Sequence, residues 1–172
     1  EYQIKKIRSD LECKLIRGNV DTRIKKLKDG TYDAIILSYA GVKFLNFDDE
    51  ISEIFSLEQV IPSAGQGIIA LQCRDGDEEI ISVLKKINHN ETFMRAHVER
   101  NILKVLEGDC ETAVGAHSII KGDKIIVEAE LFSLDGTKRF YEKKTSKTED
   151  FRQIGIELGK ILKSKSNNSY KR

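Results

Sequence analysis

A single cysteine, Cys110, stands in "LEGDCETAVGAHS" (Leu106 to Ser118), between what reads as the end of a helix and the start of a strand. A helix C-terminus raises a thiol pKa. A cysteine placed there is a poor recurring nucleophile and suits one durable bond to a strong electrophile. The competing reading is an inert buried hydrophobe, the commoner fate of a lone cysteine. The second candidate is the pair Arg17 and Arg23 in "IRGNVDTR". Arg17 ends an apolar segment, Gly18 and Asn19 make a turn, and Arg23 follows about one helical turn later. Ligands collect at strand ends in parallel sheets, and a helix N-terminus adds free N–H groups and a positive dipole. Two guanidiniums there would clamp a carboxylate or a phosphate; salt bridges to surface Asp and Glu are the other reading, and the residues alone leave both open. The glycines of "PSAGQG" serve equally for backbone approach to a ligand or for a hinge. His89, His97 and His117 have no metal-ligand spacing with one another or with the cysteines, so no metal site is expected. His97 is read on the surface or edge of a helix, without a role. The Tyr and Phe residues fall at strand or core positions, which gives a nucleic-acid stacking platform no support.

The elements that must hold these residues change character along the chain. "LECKLIR" (11–17) reads as a strand, "VDTRIKKLKDG" as a helix with Asp21 as N-cap, Ile24 and Leu27 inward and Gly30 as the stop, and "YDAIILS" (32–38) as a strand buried on both faces. That is a β-α-β unit, hence a parallel sheet. "DDEISEIFSL" reads as a helix, "IPSAGQG" as a connection, "IIALQCR" as a buried strand and "DEEIISVLKKIN" as a helix with Asp77 at its start. From Asn90 onward, Met94, Val98, Ile102 and Val105 repeat at helical spacing, with Gly108 in the place of a C-terminal glycine. "TAVGAHSII", "IIVEAELFS" and "KRFYEKKTS" follow as strands joined by the glycine turns "KGDK" and "LDGT". Val127, Ala129 and Leu131 share one face while Glu128 and Glu130 point to the other, which predicts a half-solvated sheet covered by an amphipathic helix over 150–162. The tail "KSKSNNSYKR" is expected to fray.

The 172 residues are 40% hydrophobic and 33% charged, enough apolar side chain for a core. With 29 basic and 28 acidic residues the formal net charge is +1, so no overall field favours nucleic acid or an anionic membrane. Apolar runs such as 34–37 and 68–71 are far shorter than the roughly 18 to 20 residues that span a bilayer. Cys13, Cys73 and Cys110 are odd in number and widely spaced, which argues against a disulfide framework and for a reducing, cytoplasmic setting. Cys13 and Cys73 are expected in buried strands. The chain opens at Glu1, without Met or a helix cap, and is expected to be a piece of something longer.

Three segments in this order, "LIRGNVDTRIKKLKDGTYDAIILSYAGVKFL", "IPSAGQGIIALQCR" and "ERNILKVLEGDCETAVGAHS", closely resemble the porphobilinogen deaminase (hydroxymethylbilane synthase) family. The resemblance extends over essentially the whole chain but corresponds to the C-terminal half of the family's chain. It implies a transferase of haem and other tetrapyrrole biosynthesis that joins four porphobilinogen molecules head to tail, loses ammonia each time, and releases hydroxymethylbilane. It implies a dipyrromethane cofactor, the primer, held by a thioether that falls on Cys110. Arg17 and Arg23 match two of the arginines that bind acetate and propionate groups, and Asn19, Ser38, Gly41 and Gln66 fall in segments near the cofactor and substrate cleft.

The implied architecture is α/β plus α+β: part of a periplasmic-binding-protein-like two-domain α/β cleft, then a small three-stranded antiparallel sheet domain with helices. Residues 1–61 would complete domain two, 62–89 form the hinge and a segment returning to domain one, and 90–172 form the cofactor-bearing domain three. The implied partners are porphobilinogen, the growing polypyrrole and the N-terminal portion of the same enzyme, which would supply the catalytic aspartate. No catalytic residue is assigned in this chain, and the intact enzyme would be a cytoplasmic monomer without nucleic-acid or membrane partners. Two positions depart from the family loop, which has a small residue before the cysteine and a proline three after it, where this chain has Asp109 and Ala113. Asp109 thus places a carboxylate beside an acidic cofactor. The reading from a different class is a non-catalytic periplasmic-type binding protein that closes on a small carboxylate through Arg17 and Arg23.

Overall fold

The computed structural model describes residues 1–109 and 111–171 and separates the chain into two units, residues 1–60 and 61–172. The first unit holds three short helices, α1 (Tyr2–Ile7), α2 (Val20–Lys28) and α3 (Tyr39–Phe44), and a 3₁₀ turn at Asp48–Glu50. Helix α2 forms where its apolar spacing predicts, with Ile24 buried and Leu27 half-buried, and the chain leaves it through Gly30 in a left-handed conformation. Its N-cap is Asn19, not Asp21, because Gly18 turns the chain directly into the helix. Asp21 falls in the first turn instead, where its charge complements the dipole.

The predicted helix over 48–57 is reduced to the 3₁₀ turn. The Ser56 amide is taken by the Gln59 side chain at 2.8 Å, and the Gln59 amide bonds the Ser56 carbonyl at 3.1 Å, a local turn that competes with helix continuation. The segments 11–17, 32–38 and 68–74, read as buried strands, form no ladder among the described residues. Leu15 is 78% exposed and Ile69 88%, while Cys13 is exposed and Cys73 only partly covered. A parallel strand is stable only between neighbouring strands that satisfy its N–H and C=O groups, and the described residues supply no such neighbours.

In the second unit, α4 (Glu78–Ile87) starts from Asp77, whose carboxylate accepts the Ile80 amide at 3.3 Å as the sequence predicts. Helix α5 (Asn90–Leu106) buries Val98, Ile102 and Leu106. The strands β1 (Val114–Lys121), β2 (Lys124–Phe132) and β3 (Arg139–Lys147) form an antiparallel sheet in the order β1-β2-β3, paired Ala116 to Ala129 and Ile126 to Thr145. A second 3₁₀ turn, Thr148–Asp150, leads into α6 (Phe151–Ser166). One core joins the α5 residues to Val127, Ala129 and Leu131 of β2 and to Ile154, Leu158 and Leu162 of α6. The two helices approach so closely that a Cβ on Gly155 would lie 2.2 Å from the Val98 carbonyl oxygen, so glycine is required there despite its helix penalty of about 1 kcal/mol.

Three expectations for this unit are corrected. Glu130 is not solvated: it is 2% exposed, and its carboxylate accepts a 2.6 Å bond from Nε of Arg139, which neutralises it at the sheet face. The left-handed residue that ends α5 is Glu107 (φ 53°), one position before Gly108. The tail does not fray: α6 continues to Ser166 and Tyr170 sits in the core. Among the described residues no helix is long and apolar enough to cross a membrane.

Candidate functional site

The turn before α2 is built around Gly18. Its φ of +123° and the 2.8 Å that would separate an added Cβ from Thr22 Cγ2 both exclude a side chain. Arg23 Nε donates to the Gly18 carbonyl at 2.7 Å, and Lys26 Nζ donates to the Arg17 carbonyl at 2.9 Å, so two cations close the turn on its backbone. Arg17 is exposed, and among the described residues neither Arg17 nor Arg23 has a carboxylate partner. The salt-bridge reading of this pair is therefore not what the structure shows. Asn19 is the N-cap of α2 and Ser38 the N-cap of α3; Gly41, in the first turn of α3, would place a Cβ 3.9 Å from Val20 Cγ2. Gly41 of α3 thus lies against the first turn of α2, where the helix dipole adds to the Arg17 and Arg23 guanidiniums, the latter engaged on the Gly18 carbonyl.

In the second unit, Gln66 is exposed in a turn closed by its own amide on the Ser63 carbonyl at 3.0 Å. A residue that sequence reasoning missed fastens this turn. Glu99, 3% exposed on α5, accepts the Gly65 amide at 2.8 Å with one carboxylate oxygen. The other oxygen accepts the Ser118 amide and hydroxyl, each at 2.8 Å. Arg95, one turn earlier, donates to the Ser118 carbonyl at 2.5 Å, and the Ala116 amide donates to the Pro62 carbonyl at 2.9 Å. The glycine turn is therefore stitched to α5 and β1. The i,i+4 spacing of Arg95 and Glu99 reads in sequence as a solvent-exposed ion pair; only an apolar neighbour on each side, Val98 and Ile102, hints at burial.

Glu99→Ala would leave the buried Ser118 amide and the partly buried Gly65 amide without their acceptor, at roughly 1 to 3 kcal/mol each. Thermal or urea unfolding of the complete enzyme should show a loss of about 2 to 5 kcal/mol. Glu99→Gln, which keeps one acceptor oxygen, should lose less. An unchanged midpoint for Glu99→Ala would mean that the network does not hold the turn.

Cys110 lies outside the described residues. Beside it, Oδ1 of Asp109 accepts the Glu111 amide at 2.9 Å, the Thr112 amide at 3.1 Å and the Thr112 hydroxyl at 3.2 Å. The Asp109 carboxylate is thus engaged by its own loop. These contacts, the Glu111 N–H first, hold the carboxyl below its ordinary value of 3.8. A depressed carboxyl contributes stability that is full above that ordinary value and is lost as pH falls through the lower folded value, so this loop should loosen only in acid. A concavity of about 500 Å³, lined by His97, Arg100, Asn101, Leu103, Lys104 and Gly108, runs along α5 toward the loop. His97 stacks edge-on between Phe93, at 4.3 Å, and Phe151, at 5.9 Å. His89 is the N-cap of α5, accepting the Thr92 amide, and burial pushes the His117 imidazole down.

Two family models match the chain in tandem. The model of the porphobilinogen deaminase dipyromethane cofactor binding domain matches residues 1–82, and that of the porphobilinogen deaminase C-terminal domain matches residues 93–164. The porphobilinogen deaminase of Desulforamulus reducens is 37% identical over 160 residues, which are 93% of this chain and 52% of the relative. That of Trichlorobacter lovleyi is 38% identical over 162 residues, 94% of this chain and 52% of the relative. That of Coxiella burnetii is 37% identical over 162 residues, 94% and 53% respectively. The chain spans about half the length of the curated relatives it matches.

Proposed function

Because the chain belongs to the porphobilinogen deaminase family, we propose that it is the portion of a cytoplasmic transferase that binds the acidic pyrrole chain and carries the primer on Cys110. The observation that carries this reading is the turn at Arg17 and Arg23: two guanidiniums that have no carboxylate partner among the described residues, beside a helix N-terminus. This donor set fits the acetate and propionate groups of a dipyrromethane. When bound, that cofactor supplies the pyrrole onto which the chain is extended. Arg17 and Arg23 hold its carboxylates or those of the growing chain, with Asn19, Ser38 and Gly41 setting the surrounding backbone. Gln66 and Cys110, both in the second unit, are assigned to the same cofactor by the family resemblance. The periplasmic-binding-protein-like cleft, its division at 1–61, 62–89 and 90–172, and the catalytic aspartate of the N-terminal portion belong to the same reading. Loss of ammonia needs a group that moves protons at the pyrrole, and in this reading that group is the catalytic aspartate of the N-terminal portion.

The test is an intact-mass measurement on the complete enzyme made with ample porphobilinogen. A two-pyrrole adduct on the peptide containing Cys110 is expected. A bare thiol there would favour the binding protein.

The clamp makes a separate prediction. A bidentate arginine to carboxylate contact is worth about 1.5 to 3 kcal/mol, so Arg17→Leu should slow primer assembly or chain elongation by roughly tenfold or more. Arg17→Lys should recover part of the loss, because an ammonium lacks the planar fork. Unchanged single-step elongation kinetics in Arg17→Leu would remove Arg17 from the clamp, and Arg23 is tested in the same way.

A further inference from the structure

The match to the family's C-terminal domain ends at residue 164, yet the residues just beyond it close over the end of α5. Ser166 is buried, the chain turns through Asn167 and Asn168 in left-handed conformations, and the Tyr170 ring enters the core at 3% exposure. The Tyr170 hydroxyl donates to the Leu106 carbonyl at 3.0 Å, and Lys163 Nζ donates to the Val105 carbonyl at 3.3 Å. Both acceptors belong to the last turn of α5, whose carbonyls have no partner within the helix. Glu107 follows at φ 53° and ψ 34°, a left-handed conformation disfavoured for a residue with a side chain, although Gly108 is the next residue. The Glu107 carboxylate bridges Lys163, at 3.4 Å, and Lys171. Exposed ion pairs alone hold little, but here they join a buried hydroxyl-to-carbonyl bond, and both cations face the negative end of the helix dipole.

We propose that Tyr170, Lys163 and Lys171 are positioning residues for the cysteine loop. They fix the last turn of α5 and hold Glu107 in its left-handed turn, which sets where Gly108 and Asp109, the two residues that precede Cys110, leave the helix. The sequence distance is short: Glu107 lies three residues before Cys110. The inference rests on the reading that Cys110 carries the primer, and its test separates the two.

In the complete enzyme, Tyr170→Phe removes only the hydroxyl and keeps the ring in the core; Lys171→Met removes only the charge. Amide hydrogen exchange is followed in peptides covering 107–114 and 125–131. Combined, the substitutions should lower protection of the Glu111 and Thr112 amides by roughly fivefold or more while protection of β2 stays unchanged. Primer assembly on the cofactor-free protein should slow by a similar factor. Tyr170→Phe alone should give part of each effect. Unchanged exchange in 107–114, or an equal loss in β2, would overturn the proposal, because the segment would then be packing and nothing more. If wild-type protein carries no pyrrole on Cys110, the functional reading fails, and the exchange measurement still decides whether the latch holds the loop.

Discussion

Cys110→Ser in the complete enzyme is expected to give protein with no covalent pyrrole and no hydroxymethylbilane formation, the largest single effect available in this chain. A hydroxyl does not form the thioether, so the loss should be total instead of graded. Cys13→Ser and Cys73→Ser should keep the cofactor attached. The structure sharpens those controls: Cys13 is exposed and Cys73 partly so, and neither is shielded by the strand burial that the sequence predicts. Retention of the cofactor in both controls, together with its loss in Cys110→Ser, would leave Cys110 as the attachment site. Intact mass before and after each substitution is the measurement, and cofactor retained by Cys110→Ser would sink the assignment.

The second large effect concerns the 172 residues by themselves, which are expected not to sustain ammonia release from porphobilinogen. General acid-base groups contribute on the order of 10² to 10⁴ in rate, and losing a cleft wall removes positioning as well. The exposed apolar side chains support this. Leu15, Ile36, Ile69 and Leu71 are all exposed in segments whose backbone forms no ladder among the described residues. Surface of that kind calls for a cover, and the reading adopted here gives that role to the N-terminal portion of the enzyme. The purified chain should therefore aggregate or stay inert, and adding the N-terminal half of a relative should restore product. Sustained multiple turnover by the chain alone would show that the catalytic acid lies within it.

Local chemistry determined much of the second unit directly from sequence. Asp77 caps α4, the 3.6-residue spacing of Val98 and Ile102 faces α5 inward, and the glycine turns at Gly122 and Gly136 set two hairpins whose partners are neighbours in the chain. The arginine turn was legible in the same way, because Gly18 and the helix start it feeds lie within a few residues of both guanidiniums. Where the outcome depends on residues far apart in sequence, the pattern was silent or misleading. Segments 11–17, 32–38 and 68–74 have the composition of strands, but composition cannot supply the neighbouring backbone a ladder requires. Glu99 looks like a surface charge until Gly65 and Ser118 meet it, 34 and 19 residues away. The polar tail looks solvated until Tyr170 finds the Leu106 carbonyl 64 residues back and Lys163 and Lys171 reach the Glu107 carboxylate. A residue's own propensity and its near neighbours decide elements that close within a few residues; burial of a charge or a strand is decided by what the rest of the chain brings to it.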